Sequence, residues 1–168
     1  MPGCGRAYDA LALASHGFDE VVALDLAPTA VEAATDFLSR SGDAAAVKVH
    51  CIAGDFFEHS GQYDFIWDCT FLCALDPTVR ERWAKQHASL LAPGGVLASC
   101  VFPICNKAGG PPYALTPALV RSLLEPVGFN ACEEVVVAEA EWHRPGGAGD
   151  LGGGKGGPGT ALMLASKV

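Results

Sequence analysis

The apolar positions of this chain recur with two different periods. Residues 8–18 (YDALALASHGF) carry apolar side chains at helical spacing, Leu11 and Leu13 among them, and Gly17 is placed to end the helix. Residues 20–26 (EVVALDL) form a short continuous apolar run rich in Val, which predicts a buried strand. Residues 27–42 are helical again, with Pro28 in the first turn and Gly42 past the end. The run 47–57 (VKVHCIAGDFF) alternates and then turns, and 63–75 (YDFIWDCTFLCAL) is a buried strand running into a loop. Asp76-Pro77 predicts the start of a helix carrying Trp83, His87, Leu90 and Leu91, stopped at "PGG". Residues 95–104 read as a strand, Thr116-Pro117 caps a helix, and 131–144 and 160–168 read as strands.

Strands alternating with helices predict an α/β fold, a mostly parallel sheet with right-handed crossovers. The last two strands have no helix between them, so an antiparallel hairpin is expected at one edge. Their connection, residues 145–159 (PGGAGDLGGGKGGPG), predicts a flexible glycine-rich loop inside one domain spanning 1–168.

Composition narrows the function classes. Half of the 168 residues are hydrophobic, enough for one cored domain, and the net charge is −8. An acidic chain without a basic stretch is a poor nucleic-acid binder, because phosphate neutralisation supplies most of that affinity. The apolar runs are strand-sized, so no membrane span is expected. Seven cysteines, an odd count without C-x-x-C spacing, argue against zinc and disulfide frameworks. They predict a reducing, cytoplasmic setting, with an upstream transit peptide left open. Oligomeric state is not legible.

The chemistry sits in four short pieces. Gly3 and Gly5 let the backbone pass close to a bound nucleotide or amino acid, and the helix after them aims its amides at an anionic group. Asp25 ends the next strand about twenty residues later, where an acid accepts from both ribose hydroxyls. This pair fits either a dinucleotide or an S-adenosylmethionine site. The third glycine of the dinucleotide fingerprint would fall at Tyr8, which counts against NAD. Asp55 in "GDFF" is placed to accept from an adenine amino group and Phe56 to pack on its ring; the competing reading is a strand-end turn with a core aromatic. "LLAPGGVL" is a helix, a tight turn and a strand.

Six segments together, PGCGRAYDALALAS, FDEVVALDLAPTAVEAA, GDFF, YDFIWDCTFLCALDPTVRERWA, LLAPGGVL and GGPPYALTP…LLEPVGF, resemble the thiopurine S-methyltransferase superfamily. The nearer match is its thiol/halide methyltransferase branch, the "harmless to ozone layer" type. The resemblance covers residues 2 to about 135, and "DCTFLCAL" and "GGPPY" carry the branch. It implies a class I Rossmann-like methyltransferase that uses S-adenosylmethionine. By matching motifs, Gly3 lies at the methionine part of the cofactor, with Gly5 in the same cofactor-binding loop, Asp25 at the ribose, and Asp55 and Phe56 at the adenine. Cys69 stands where the family contacts cofactor through Tyr or Arg, a departure, since a thiol has neither that reach nor that hydrogen bond. Phe102 and Tyr113 resemble the substrate side, with Tyr113 reading better as loop packing than as a catalyst.

The implied substrate is a small nucleophile: a thiol, bisulfide, thiocyanate or halide. Halides need no base, and a thiol of pKa about 8.5 is already a few per cent thiolate at neutral pH. No general base is therefore named, no metal site is expected, and the five histidines lack ligand spacing. Competing readings are a methyltransferase for another small acceptor, a non-catalytic remnant keeping the fold and, more distantly, an NAD-dependent oxidoreductase. The family fold places a lid segment and a central strand ahead of "PGCG". The chain is expected to lack both and to begin at an internal Met of a longer enzyme.

Overall fold

The computed structural model describes residues 1–141 and 159–167. The glycine-rich stretch expected at 145–159 lies outside them, apart from Gly159. The chain divides into two units, Met1–His59 and Ser60–Val168.

The first unit runs α1 (Tyr8–Ser15), β1 (Val21–Asp25), α2 (Pro28–Arg40) and β2 (Val49–Ala53), with short 3-10 turns at Ala44–Lys48 and Phe56–Glu58. β1 and β2 pair in parallel from Val21↔Val49 to Asp25↔Ala53. Small side chains dominate its core: Cys4, Ala7, Ala10, Ala14, Ala23 and Ala34 pack with Leu11, Val21, Leu38 and Val49. Alanines on facing elements let helix and strand backbones approach closely, so this unit is held by tight packing of little area per residue.

No strand is defined ahead of α1 among the described residues, yet the opening residues do more than expected. Pro2 bridges Leu24 in parallel, Leu24 N donates to Met1 O at 3.0 Å, and Cys4 N donates to Leu24 O at 3.0 Å. Residues 1–4 therefore run along β1 as the end of a strand would.

The second unit holds β3 (Tyr63–Cys69), α3 (Arg80–Leu90), β4 (Leu91–Ile104), α4 (Pro117–Leu124), β5 (Phe129–Val135) and β6 (Gly159–Lys167) in a sheet of order β3-β4-β6-β5. β3 pairs β4 in parallel, and β6 runs antiparallel to both β4 and β5. The last two strands are thus an antiparallel pair as expected, but β6 lies inside the sheet and β5 takes the edge. The apolar alternation of "ALMLA" explains this: Ala161, Met163 and Ala165 are buried, as a strand with a neighbour on each side can bury them.

Local signals at α3 and α4 act largely as their residues dictate. Asp76 Oδ1 accepts from Thr78 N at 2.9 Å, but it caps a 3-10 turn, Pro77–Val79, that leads into α3 rather than α3 itself; Thr116 Oγ1 accepts from Leu119 N at 3.1 Å at the start of α4. Trp83, Ala84, His87 and Leu90 form the buried stripe of α3. The helix ends at Leu90 rather than at "PGG", and β4 starts at Leu91. The glycines instead serve an irregularity in the β3–β4 register between Tyr63 and Phe65. A Cβ on Gly95 would stand 2.9 Å from Ala92 O and 3.0 Å from Tyr63 O, so no side chain fits there.

Candidate functional site

In the first unit the expected residues gather at the carboxyl ends of β1 and β2. Leaving β1's edge, the chain turns through three left-handed residues, Gly3 (φ 61°), Gly5 (φ 52°) and Ala7 (φ 60°), before α1 begins. The Asp25 carboxylate holds this loop. Its Oδ2 accepts from Gly5 N at 2.9 Å, and its Oδ1 accepts from Ala27 N, at the entry to α2, at 3.0 Å. Gly54 N donates to Asp25 O at 2.9 Å, which carries the next turn alongside. There Asp55 Oδ1 accepts from Phe57 N at 2.8 Å.

A carboxylate has about four lone-pair sites, so two backbone amides leave Asp25 capacity for further donors. Around Gly5 there is room: a Cβ built there would meet nothing within 4 Å. Leu26, beside Asp25, is 72% exposed, an apolar side chain with no core to bury it. Sequence reasoning missed Leu26 because it reads as the last residue of an apolar strand.

Phe56 is where the expectation fails. Its ring is only 5% exposed and meets Phe57 edge-to-face, with centroids 5.3 Å apart. Packing on an adenine ring would need a face that the core already covers, so the core-aromatic reading of "GDFF" holds for Phe56. Cys4, next to the loop, is equally buried. Burial, followed by the Asp25 charge, pushes its thiol up to about 11, so it is neutral near pH 7.

In the second unit β3 ends in Asp68-Cys69 and turns at Thr70, a β-branched residue at φ 57°. Cys69 and Cys100 are register partners on β3 and β4. With Phe102 they form a small buried cluster against which Trp67 packs. Two expected residues, Cys69 and Phe102, therefore come together, but as packed side chains. Tyr113 belongs to a loop tied at two points: Tyr113 N donates to Cys73 O at 2.7 Å, and Leu115 N donates to Pro103 O at 3.0 Å. The Arg80 guanidinium lies 6.0 Å from the Tyr113 ring centroid. Gly110 approaches the same ring so closely that its Cβ would be 2.5 Å from Tyr113 Cγ. That packing accounts for Tyr113 as a loop residue and for the second glycine of "GGPPY".

Asp68 is 1% exposed and accepts from Trp83 Nε1 at 2.7 Å, with His87 Nε2 at 3.2 Å. Sequence reasoning placed Trp83 and His87 on one helix and left Asp68 without a role. The available signal was an acid inside an apolar strand, since such a residue must find donors when buried.

A cavity of about 610 Å³ beside α2 and β2 is lined by Thr35, Ser39, Asp43, His50 and Cys51 among others, and by none of the expected site residues. Among the described residues no cluster of His, Cys, Asp or Glu could hold a metal ion, and no helix is long and apolar enough to cross a membrane.

Against known proteins, the family model of thiopurine S-methyltransferase matches residues 1–145. The chain belongs to the thiopurine S-methyltransferase family. A probable thiol methyltransferase 2 of Arabidopsis thaliana is 41% identical over 133 residues, covering 78% of this chain and 58% of that protein. Thiocyanate methyltransferase 1 of Brassica oleracea is 37% identical over 134 residues, again 78% of this chain and 58% of the relative. The chain thus spans little more than half the length of these relatives. Among solved structures, the S-adenosylmethionine-dependent methyltransferase SibL in its apo form superposes with a TM-score of 0.74 at 20% identity, covering 99% of this chain and 49% of SibL. That likeness establishes the class I methyltransferase fold, a mostly parallel α/β arrangement with one antiparallel strand.

Proposed function

We propose that this member of the thiopurine S-methyltransferase family is a methyltransferase domain that uses S-adenosylmethionine to methylate a small soft nucleophile: a thiol, bisulfide, thiocyanate or halide. The observation that carries the reading is the hold of Asp25 on Gly5 at the carboxyl ends of β1 and β2. It fixes an open glycine loop and presents a carboxylate with unused acceptor capacity beside it. The thiol and thiocyanate methyltransferases among the relatives supply the acceptor class.

The residues present fit such a cofactor in part. Asp25 would take the ribose hydroxyls, Gly3 and Gly5 would admit the methionine portion to the backbone, and exposed Leu26 would cover one face of the adenine. Asp55 would take the adenine amino group, while Phe56 supports that turn from the core. Cys69, in the second unit, packs in a buried cluster with Cys100 and Phe102. The cofactor supplies a methyl group already activated on a sulfonium. The chain need not provide a base, because a halide or thiocyanate carries its lone pair at any working pH and a thiol of pKa about 8.5 is partly ionised. What remains for the protein is alignment and exclusion of water. Cys4, protonated at neutral pH, is no rival nucleophile.

The test is transfer of a deuterated methyl group from labelled cofactor to iodide, thiocyanate, bisulfide and a small aryl thiol, read by mass spectrometry. Labelled product with at least one acceptor, lost in Asp25→Ala, is the expected result. Binding of the cofactor with no transfer to any of the four would replace this reading with a non-catalytic domain.

A further inference from the structure

The cavity beside α2 lies wholly within the first unit. Its walls are the last turns of α2, the 3-10 turn Ala44–Lys48 and the first residues of β2. Gly5 and Asp25 stand at the other end, by the carboxyl ends of the strands. At about 610 Å³ the cavity has the size of a small-molecule site. Part of its lining is apolar and buried, with Leu38 and Val49. Val47 also lines it and is 82% exposed, an apolar side chain with no core to cover it. A buried apolar floor beside an uncovered apolar side chain offers area to the apolar body of a ligand.

The polar part of the lining offers acceptors. Thr35 Oγ1 donates to Val31 O and Ser39 Oγ to Asp36 O, each at 2.9 Å. Both hydroxyls thus spend their single hydrogen on the helix and keep lone pairs for the cavity. Asp43 adds a carboxylate. Ala45 N donates to its Oδ1 at 2.8 Å and Ser15 Oγ to its Oδ2 at 2.8 Å. These two bonds hold the carboxyl below the usual carboxylate range, so it is ionised near pH 7. They also leave it about half of its roughly four lone-pair sites. The last turn of α2, part of the same wall, carries the negative end of the helix dipole. Among the described residues no Lys or Arg lines the cavity. Arg40 and Lys48, close by in sequence, are engaged elsewhere: Arg40 Nη2 pairs with Asp36 Oδ2 at 2.8 Å, and Lys48 Nζ donates to Phe18 O at 3.4 Å. His50 lines the cavity too, but its Nε2 lies 3.8 Å from Glu20 Oε1, so a charge taken on that ring has an acid beside it. Such a lining is complementary to a positively charged hydrogen-bond donor.

We propose that this cavity is a binding site, separate from the cofactor loop, for a small organic cation: an amine carried on an apolar body. The ammonium is taken by Asp43 and the neighbouring hydroxyl oxygens, and the body by Leu38, Val49 and Val47. Cys51, on the same lining, is a spectator: burial pushes its thiol up, so it is neutral near pH 7. The site stands without the methyltransferase reading, because no lining residue belongs to the loop held by Asp25.

The experiment titrates the full chain with three probes that share one ring and differ in charge: tryptamine, tryptophol and indole-3-acetate. Tryptamine should saturate at one to one. Tryptophol should bind roughly fivefold more weakly, the worth of one exposed ion pair, and indole-3-acetate should not bind measurably. Asp43→Asn keeps a side-chain oxygen for the Ala45 amide, and should lower tryptamine affinity roughly fivefold while leaving tryptophol unchanged. Val47→Ser should weaken both alike. The site is located by N-ethylmaleimide labelling, read by peptide mass spectrometry. With tryptamine at twice its Kd, labelling of Cys51 should slow roughly threefold by mass action, and that of Cys105, in the second unit, should not change. S-adenosylhomocysteine should not displace the probe. Absence of saturable tryptamine binding, equal affinity for the three probes, or undiminished Cys51 labelling would each overturn the proposal. Unchanged tryptamine affinity in a folded Asp43→Asn would do the same. If that variant does not fold, the charge series and Cys51 labelling on the unaltered chain decide. Displacement by S-adenosylhomocysteine would move the probe to the cofactor loop and also overturn the proposal. A chain that binds tryptamine as expected but no S-adenosylhomocysteine would bear out this site and remove the methyltransferase reading instead.

Discussion

Two aspartates stand at or near the carboxyl ends of strands, each strand in a parallel pair of its own unit, and they do opposite things. Asp25 closes β1 in the first unit partly buried, gripping backbone amides of its own neighbourhood and keeping acceptor capacity in reserve. Asp68, near the end of β3 in the second unit, is sealed from solvent with both oxygens engaged, by Leu72 on one and by Trp83 and His87 on the other. The residue type and strand position are alike; the donors around each differ. An acid at a strand's carboxyl end is therefore not by itself a ligand-binding acid. What separates the two roles is whether side-chain donors reach the carboxylate from a packed helix, as α3 does, or only loop amides do.

The sharpest way to break this comparison is to truncate each acid. Asp68→Ala leaves two buried donors and a strained turn without their acceptor, and should cost about 3–5 kcal/mol in chemical denaturation. Asp25→Ala, where water can replace the lost acceptor, should cost about 1 kcal/mol while removing most of any cofactor affinity. Similar stability losses for both would erase the distinction. Gly110→Ala should come next. The added methyl must displace the Tyr113 ring from its place against Arg80, at a cost of about 1–2 kcal/mol in thermal melts.

Acid adds a smaller effect with a defined sign. The His87 pKa is depressed below 6.5 in the folded chain. Below pH 6.5 the unfolded chain binds a proton that the folded one refuses, so stability is retained above that pH and lost as pH falls. The loss attributable to His87 has a limiting slope of about 1.4 kcal/mol per pH unit. It should be absent from His87→Gln, so the stability difference between the two chains should be flat above pH 7 and shift below it. The smallest change is expected for Ala7→Gly. Relief of the left-handed alanine, about 1 kcal/mol, is offset by loss of a buried methyl worth about 0.8 kcal/mol. A net change beyond about 0.5 kcal/mol would show which of the two governs the glycine loop.

Local chemistry was legible in the sequence wherever a residue acts on its near neighbours. The glycine turn, Asp25, the caps at Asp76 and Thr116 and the alternation of strands and helices depend on spacing within a few residues or one βα repeat. Long-range pairings were not legible. Asp68 meets Trp83 and His87 only after α3 folds back on the sheet, so an acid, a tryptophan and a histidine that look unrelated along the chain become one network. β6 enters between β4 and β5 because its apolar face can be buried there, which periodicity alone does not distinguish from an edge. "GDFF" offered two rings, and nothing in a four-residue stretch says that Phe56 turns inward. Gly110 meets the Tyr113 ring only once the loop folds back, which no spacing along the chain announces.

The central claim is that the glycine loop latched by Asp25 is a cofactor site. Calorimetric titration of the chain and of Asp25→Ala with S-adenosylmethionine tests it most directly. The account predicts saturable one-to-one binding by the chain and a loss of about tenfold or more in the variant, roughly 1.4 kcal/mol. Equal affinity in the two proteins would contradict the role given to Asp25, and no binding by either would contradict the site itself.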